Sequence, residues 1–371
     1  MPALVRRLSG LPRRLRTALV LTALCCLAPV ALSACTGGGT NLPSTPPTAS
    51  VEPASAVNPQ PRTMLADGGE LRLPVDAIGH QWNPLYSDSS DNSDDSDGSD
   101  GSDDSDGDAG VALMMGPMLP QLFNYDSDGN PSPNPDYLAG VDASGGNPQV
   151  VTYTLSPNAV WNSGRAMSAD DFIAEWHACN GQNVSFKCNA TSKFSQVSQV
   201  RQGNGPSQVI VTYKGSYADW PSTFEVLLPK ESDSDPATFN EGWTSLTKIH
   251  DWLAGPFEVS AVSRDDGVLI ETPNPQWWAD KPKLSQLTFR VIATDDRFAA
   301  LRDHQIDAYD LGSDSGAIKD VDALAGCEIR EGDVPPGKPQ ITAARTTLAN
   351  YGSFGKQSIV WTDVGYLPPA T

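Results

Sequence analysis

Adjacent carboxylates are the first residues in this chain whose types and spacing suggest chemistry. Asp170 and Asp171 adjoin within VWNSGRAMSADDFIAEWHAC, residues 160–179, and a carboxylate pair is a common general acid–base device. Helix capping is the alternative, because Ser168 stands three residues before Asp171, in the order of a capping box. The two carboxylates also fall at the positive end of a helix dipole. Capping is a sufficient explanation, so we interpret the pair as architecture.

Other enzyme signatures are missing or fail on residue type. No His-Glu-x-x-His or Gly-x-Ser-x-Gly motif occurs, and the histidines are scattered: His80, His177, His250 and His304. The stretch GDVPPGKP, residues 332–339, has the outline of a phosphate loop. Pro339 replaces the magnesium-binding Ser or Thr, and Pro335 and Pro336 remove amide donors that the loop needs. The sequence predicts no enzyme, no catalytic residue and no cofactor.

An Asp/Ser/Gly run at residues 87–110 raises the question of a metal. It holds ten aspartates, and acidic runs supply the hard oxygen ligands that calcium prefers. No Asp-x-Asp-x-Asp-Gly is followed by a Glu at the twelfth position, either here or in NYDSDGNP, residues 124–131. The run therefore predicts a disordered surface insertion without a metal site. NYDSDGNP predicts a turn in which Gly129 takes positive φ.

Charge and composition limit the partners. The 371 residues carry a formal charge of −20 and a pI near 4.4, which argues against nucleic acid because phosphate binding requires clustered Lys and Arg. The 39% hydrophobic content is enough for a substantial core, shared between two lobes.

The N-terminus predicts export. Five arginines between residues 6 and 16 precede the apolar run at residues 17–34, which is too short for a stop-transfer helix. The run ends on LSAC, residues 32–35, which resembles the lipobox of bacterial lipoproteins. That resemblance implies lipidation of Cys35. An ordinary secretory signal in which Cys35 is incidental remains the alternative. Residues rich in Pro, Ser and Thr follow to position 65 and predict an extended tether.

The cysteines sort by position. Cys25 and Cys26 leave with the signal. Export to an oxidising compartment favours a disulfide between Cys179 and Cys188, across the polar loop NGQNVSFK. Cys327 is then left unpaired.

The elements that position these residues alternate between strand and helix. Apolar alternation predicts strands in GELRLPV (69–75), VVTYTL (150–155), SQVIVTYKG (207–215), KLSQLTFRVI (283–292) and QIDAYDL (305–311). A helix begins at Ser168 with Phe172 and Trp176 on one face, and TDDRFAALRDH (294–304) predicts a short capped helix. Residues 264–267 predict a hairpin turn. The alternation indicates an α/β fold.

Four blocks in this order resemble one family. AVWNSGRAMSADDFIAEW, AGPFEV, NPQWWADKPKLSQLTFRVI and LRDHQIDAYD are similar to blocks of the extracytoplasmic oligopeptide- and dipeptide-binding proteins of ABC importers (family 5). The resemblance covers residues 66–312. Asn162 and Ser163 replace the usual Ser-Asp, and His304-Gln305 replaces the usual Gly-Glu. Both departures are tolerable at surface turns.

The resemblance implies a periplasmic-binding-protein-like two-lobe α/β fold of the peptide-binding type, with the distal C-terminal lobe missing or incomplete. We expect the following segments: signal 1–34, lipidated Cys and tether 35–65, first strand of the hinge-side lobe 66–86, insertion 87–110, small lobe 111–222, hinge-side lobe 223–345, and the start of the missing lobe 346–371.

The implied function is a lipid-anchored receptor on the extracytoplasmic face of the cell membrane, which delivers a peptide or similar solute to an ABC permease. A truncated or degenerate paralogue, acting as an envelope interaction lipoprotein connected with cell-wall glycolipid, is the alternative. Trp82 and Asn83 follow the first strand, where the family's ligand-facing loop lies, so they are the expected ligand contacts; a packed core aromatic is the other interpretation of Trp82. The remaining tryptophans that we assign to packing are Trp220, Trp243, Trp277 and Trp278.

Overall fold

A computed structural model describes residues 58–87, 105–126, 129–311, 315–332, 340–351 and 358–369. These ranges all belong to one compact unit, Val51–Thr371. The predicted signal, Cys35, the centre of the acidic insertion and most of the rejected phosphate loop lie outside the described residues.

The helices of the described ranges are short. The α-helices are α1 Ser105–Met115, α2 Ala169–Cys179, α3 Thr191–Phe194, α4 Pro236–Glu241, α5 Arg297–Arg302 and α6 Ser315–Asp322. Single 3₁₀ turns occur at Arg62–Met64, Trp220–Ser222, Gly242–Thr244, His250–Trp252 and Thr294–Asp296. Within the described ranges, every helix falls short of the length and apolar character that a membrane span requires.

The strands form three sheets and two ribbons. They are β1 Glu70–Val75, β2 Phe123–Tyr125, β3 Pro131–Pro133, β4 Leu138–Ala143, β5 Val150–Leu155, β6 Val197–Gln202, β7 Gln208–Tyr213, β8 Phe257–Ser263, β9 Val268–Pro273, β10 Gln286–Val291, β11 Ala308–Asp310, β12 Cys327–Gly332, β13 Gln340–Arg345, β14 Leu348–Ala349 and β15 Gly365–Tyr366. The sheets have the orders β4-β5-β7-β6, β1-β10-β9-β8 and β11-β13-β12, and the ribbons are β2-β3 and β14-β15.

The sheet β4-β5-β7-β6 is antiparallel and packs against α2. Alternate residues of β5 and β7 are buried, as the period of a strand with one core face requires. The Phe172 ring of α2 lies 5.5 Å from the Tyr153 ring and 4.9 Å from the Phe224 ring. This aromatic contact fixes the helix on the sheet.

Helix α2 begins as the sequence predicts. Ser168 is the N-cap, and the Asp171 carboxylate accepts a hydrogen bond from the Ser168 amide at 2.9 Å, within a capping box. Gly164 takes a φ of 81° in the preceding turn, a conformation that favours glycine. The predicted helix start is therefore confirmed.

The sheet β1-β10-β9-β8 is mixed. Strands β1 and β10 run parallel with Leu73 opposite Phe289, and β9 pairs antiparallel with both β10 and β8. The predicted hairpin turn is confirmed, since Gly267 donates its amide to the Arg264 carbonyl at 3.2 Å and has a φ of 62°. Most buried residues of this sheet and of the first share one hydrophobic core.

The sheet β11-β13-β12 has a separate small core, formed with α5 and α6 by Ala300, Leu301, Ile306, Tyr309, Leu311, Val321, Ile341 and Ala343. Asp307 attaches this sheet to β1: its carboxylate accepts the Arg72 amide at 2.8 Å and pairs with Arg345 at 3.3 Å.

Two predicted boundaries are corrected. The stretch TDDRFAALRDH divides into a 3₁₀ turn and α5, and Asp296 makes no side-chain cap bond there. The helix ends before His304, which adopts a φ of 59°, a left-handed conformation that stops helical hydrogen bonding. The predicted insertion at 87–110 is also too long, because α1 already begins at Ser105.

Candidate functional site

A groove with a volume of about 320 Å³ lies beside the C-terminal half of α1. It is lined by Pro84, Ala112, Leu113, Met115, Gly116, Leu119, Gln121, Glu225, Val226, Ile359 and Trp361. Most of these side chains are apolar, and ligand sites in proteins are typically apolar clefts with a few placed polar groups. This groove is therefore the candidate site.

A smaller cavity of about 30 Å³ continues from the groove. Both share the wall residues Gly116, Leu119, Gln121, Ile359 and Trp361, and the smaller cavity adds polar groups from Asn124, Asn134, Asp136, Tyr137 and Thr362. The smaller cavity thus extends the groove with side chains that carry hydrogen-bonding groups.

Two paired segments build the floor of the groove. Leu122 donates its amide to the Glu225 carbonyl at 2.9 Å, and Leu227 donates to the Pro120 carbonyl at 3.3 Å. Gln121 and Val226 form the bridge between them. Extended backbone places successive side chains on opposite faces, so Gln121 and Val226 face the groove while Leu122 and Leu227 enter the core.

The C-terminal segment closes the opposite side. Ser358 pairs with Tyr125, each donating its amide to the other residue, at 3.2 Å and 2.9 Å. The indole of Trp361 lies near Gly116, the residue that follows α1. A Cβ on Gly116 would lie 3.1 Å from the Ala112 carbonyl and 3.4 Å from Trp361 Nε1. Trp361 thus lies next to Gly116 on the wall of the groove.

The groove is acidic. Burial raises the pKa of Glu225, and the Lys193 ammonium 4.0 Å away offsets this only in part. Burial and two neighbouring carboxylates, Asp280 and Asp363, raise the pKa of Asp136 in the extension. No Lys, Arg or His is among the described residues that line either cavity. The electrostatics suit a neutral or cationic ligand group and disfavour an anion.

The structure places the expected ligand residues behind the groove wall. The Trp82 indole lies in the hydrophobic core. Asn83 is buried, and its side-chain Nδ2 donates to the Phe239 carbonyl at 3.1 Å. Their neighbour Pro84 lines the groove. A direct ligand contact by Trp82 or Asn83 stays a prediction.

The disulfide between Cys179 and Cys188 is formed, and Cys327 is a free, half-buried thiol. Burial raises the pKa of that thiol, which disfavours the reactive thiolate. The Cys179–Cys188 disulfide closes a loop at the end of α2, so it links the helix to the surface segment that follows.

The Asp170–Asp171 pair connects the start of α2 to the turn before it and to Lys230. Asp171 is fully buried and accepts hydrogen bonds from Trp161 Nε1, the Arg165 guanidinium and the backbone amides of Ser168 and Lys230. Asp170 is exposed and pairs with Lys230 at 2.8 Å. With every oxygen of Asp171 engaged by donors, this carboxylate has no free lone pair directed at a substrate.

Sequence reasoning missed the groove residues and four buried acids, Glu175, Asp233, Glu271 and Asp307. The groove combines residue 84 with segments 112–121, 225–226 and 359–361. The last three segments are far apart in the chain, so no sequence spacing predicts the groove. Glu175 had one available signal, because it stands four residues after Asp171 on the same face of α2.

Comparison with known proteins gives the family. Residues 142–326 match the bacterial extracellular solute-binding proteins, family 5 middle region. The chain is 32% identical over 288 residues to the oligopeptide-binding protein OppA of Mycobacterium tuberculosis (strain ATCC 25618 / H37Rv), covering 76% of this chain and 45% of OppA. It is 24% identical over 158 residues to the probable monoacyl phosphatidylinositol tetramannoside-binding protein LpqW of that strain, covering 42% of this chain and 24% of LpqW.

A solved structure supports the fold. The periplasmic EDTA-binding protein EppA superimposes with a TM-score of 0.64 at 22% identity, covering 77% of this chain and 51% of EppA. The predicted periplasmic-binding-protein-like α/β fold is confirmed. The chain spans about half the length of the relatives it matches. From the matched region and the 32% identity to OppA, we conclude that the chain belongs to the bacterial extracellular solute-binding proteins of family 5.

Proposed function

We propose that this chain is an extracytoplasmic receptor that captures short peptides for an ABC permease, and that the groove receives an apolar peptide side chain. The carrying observation is a groove lined by apolar side chains and Glu225, with Asp136 in its extension and no Lys, Arg or His among the described residues that line it. Membership of the solute-binding family and the likeness to OppA support a peptide over other solutes.

The charge of the groove narrows the class of peptide that it would bind. A peptide with apolar side chains and a cationic group would place apolar surface against Met115 and Trp361 and its cation near Glu225. Opposite charges in a partly desolvated site attract more strongly than in water. An anionic side chain in the same place would face Glu225 and be repelled.

The test uses three tripeptides, Lys-Leu-Leu, Ser-Leu-Leu and Glu-Leu-Leu, with calorimetric titration and thermal shift of the purified chain. We expect Lys-Leu-Leu to bind most tightly and to raise the unfolding temperature, because a ligand that binds only the folded state stabilises it. Glu225→Gln should remove the preference for Lys-Leu-Leu, and Trp361→Ala should weaken all three peptides. Asp265→Asn, an exposed acid in the β8–β9 turn, is the matched control. Equal binding of the three peptides by parent and Glu225→Gln would refute the proposed ligand class.

We further propose that the receptor is held at the outer face of the cell membrane by a lipid on Cys35. The lipobox-like LSAC and the preceding apolar run support this, as do lipoprotein-named relatives. Cells given labelled fatty acid should label the parent and not Cys35→Ser. Equal labelling, or equal membrane retention of both, would refute the anchor.

A second candidate rests on the LpqW likeness, which favours an envelope role that involves a phosphatidylinositol glycolipid. Binding to vesicles that contain phosphatidylinositol, with no binding to phosphatidylcholine vesicles or to any tripeptide, would favour it. The acidic groove argues for the peptide, because a phosphate group would meet Glu225 without a basic partner in the groove lining.

A further inference from the structure

The wall of the groove at Pro84 is a tight turn, residues 83–86, which we call the Pro84 turn. The Tyr86 amide donates to the Asn83 carbonyl at 3.1 Å, and the Leu85 amide donates to Asn83 Oδ1 at 2.9 Å. Asn at the first position and Pro at the second suit such a turn, because the Asn side chain mimics a backbone acceptor and Pro presets φ. Pro84 is the one residue of this turn that lines the groove.

The outer side of the Pro84 turn pairs with the disulfide loop, residues 180–187, and the residues just after it. The Asn189 amide donates to the Leu85 carbonyl, and the Ser87 amide donates to the Lys187 carbonyl, both at 2.9 Å. The Asn189 side chain donates to the Pro84 carbonyl at 3.1 Å. The groove wall is thus held from behind by the end of this loop.

The disulfide sets where that loop end lies. Cys188 directly precedes Asn189, and its partner Cys179 is the fully buried last residue of α2. Helix α2 is fixed by its capping box and its aromatic packing on the sheet. The bond therefore ties a surface loop to a rigid element of the core.

Asn240, in α4, is a second link between the disulfide loop and the segment that leads into the Pro84 turn. Its Oδ1 accepts the Lys187 amide at 3.0 Å, and its Nδ2 donates to the Ser185 carbonyl at 2.9 Å. Its own carbonyl accepts Gln81 Nε2 at 2.6 Å, while Gln81 Oε1 accepts the amides of the two residues that follow Gln81. The Phe186 and Phe239 rings meet edge to face at 5.5 Å.

We infer that the disulfide loop, Asn240 and Gln81 are the positioning device for the Pro84 wall of the groove. The other walls come from α1, from the paired segments around Gln121 and from the Trp361 segment. The Pro84 wall belongs to a turn whose first residue, Asn83, is also held by its side-chain hydrogen bond to the Phe239 carbonyl of α4 at 3.1 Å. A wall held in place before binding costs a ligand less ordering free energy. The effect on binding rests on the proposed function; the effect on the turn does not.

The experiment compares hydrogen exchange of backbone amides in the full chain and in three variants: the double variant Cys179→Ser/Cys188→Ser, Asn240→Ala and Asn240→Asp. In the double variant we expect exchange at Tyr86, Ser87 and Asn189 to accelerate by about tenfold or more, with β5 and β7 unchanged. Asn240→Ala should act in the same direction, and Asn240→Asp should recover part of the protection because it keeps the acceptor for the Lys187 amide. Cys327→Ser controls for loss of a thiol, and Ser198→Ala for loss of a surface hydrogen bond on β6, to the Thr212 carbonyl.

The affinity for Lys-Leu-Leu is then measured on the same proteins, and we expect the double variant to bind about tenfold more weakly. Unchanged exchange at Tyr86, Ser87 and Asn189 would overturn the inference outright. Faster exchange with unchanged affinity would overturn the positioning role in the groove. If the parent binds no tripeptide, the proposed ligand is wrong, and the exchange result still decides whether the disulfide loop holds the Pro84 turn.

Discussion

The start of α2 and the middle of β9 each bury a carboxylate completely, and the two are handled in opposite ways. Asp171 accepts hydrogen bonds from Trp161, Arg165, Ser168 and Lys230. Glu271 lies between Leu287 and Val259 on its neighbouring strands, and neither of its oxygens has a hydrogen-bond partner among the described residues. Asp171 and Glu271 are therefore equally buried, but hydrogen bonds compensate the burial of Asp171 alone.

The difference shows what makes a buried acid structural. Around Asp171, a guanidinium and two backbone amides replace the water that burial removes, so the carboxylate organises the turn before α2. Burial alone raises the pKa of Glu271 well above its ordinary value, because nothing nearby stabilises its charged form. Glu175 and Asp233 are intermediate, since each has one oxygen bonded and one without a partner in the described chain.

The largest effect is expected from Asp171→Asn. The amide keeps the shape but has one acceptor oxygen, so it cannot accept from both the Ser168 and the Lys230 amides, and the guanidinium loses its buried counter-charge. Breaking a buried ion pair costs about 3 to 5 kcal/mol. Urea unfolding of parent and variant measures the loss. A loss below about 1 kcal/mol would mean that Asp171 is no better placed than an exposed acid.

A pH-dependent effect is expected at Asp233, whose pKa burial raises to about 8. Between its unfolded and folded pKa values this acid is protonated only when folded, so the free energy of unfolding falls as pH rises. From pH 6 to pH 8 the parent should lose about 2 kcal/mol more than Asp233→Asn does. Urea unfolding at several pH values gives the two slopes, and parallel slopes would contradict the assignment.

Glu271→Leu should stabilise the protein. A buried polar group without a partner costs about 1 to 3 kcal/mol, and leucine of similar volume would pack against Leu287 and Val259. Thermal unfolding at neutral pH should show the gain. Glu271→Gln is the matched variant: it removes the ionisable group, keeps the orphan polar atoms and should gain much less. Destabilisation by Glu271→Leu would indicate that the carboxyl has a binding partner.

The smallest effect is expected from Asp170→Asn. Asp170 adjoins Asp171 in sequence but is exposed and pairs with Lys230 at 2.8 Å. Exposed ion pairs contribute about 0 to 1 kcal/mol, so the unfolding free energy should change within that range. A loss as large as that of Asp171→Asn would remove the distinction between the two positions.

Local features were predictable from the residues alone. The capping box at Ser168, the hairpin turn at 264–267 and the Cys179–Cys188 bond each join residues close in sequence. The paired carboxylates were also assigned correctly to architecture. The lining of the groove was not predictable, because Pro84, Glu225 and Trp361 meet only after the chain has folded.

Trp82 illustrates the limit. Its position after the first strand predicts a ligand contact, which stays a prediction; the indole lies in the core, and Pro84, two residues later, lines the groove. Which side chain of a turn faces outward depends on the backbone dihedral angles of the turn. Here the turn is hydrogen-bonded to α4 through Asn83 and to Asn189, which follows the disulfide loop.

By itself, the sequence determined the strand alternation, the start of α2, the cysteine pairing and the family blocks, because short-range hydrogen bonding and side-chain periodicity depend on neighbouring residues. Only the tertiary structure decided that Asp171 is surrounded by donors, that Glu271 is not, and that an acidic, apolar groove opens under Trp361. Burial and compensation of charge depend on which distant segments come together, and that is a property of the folded chain.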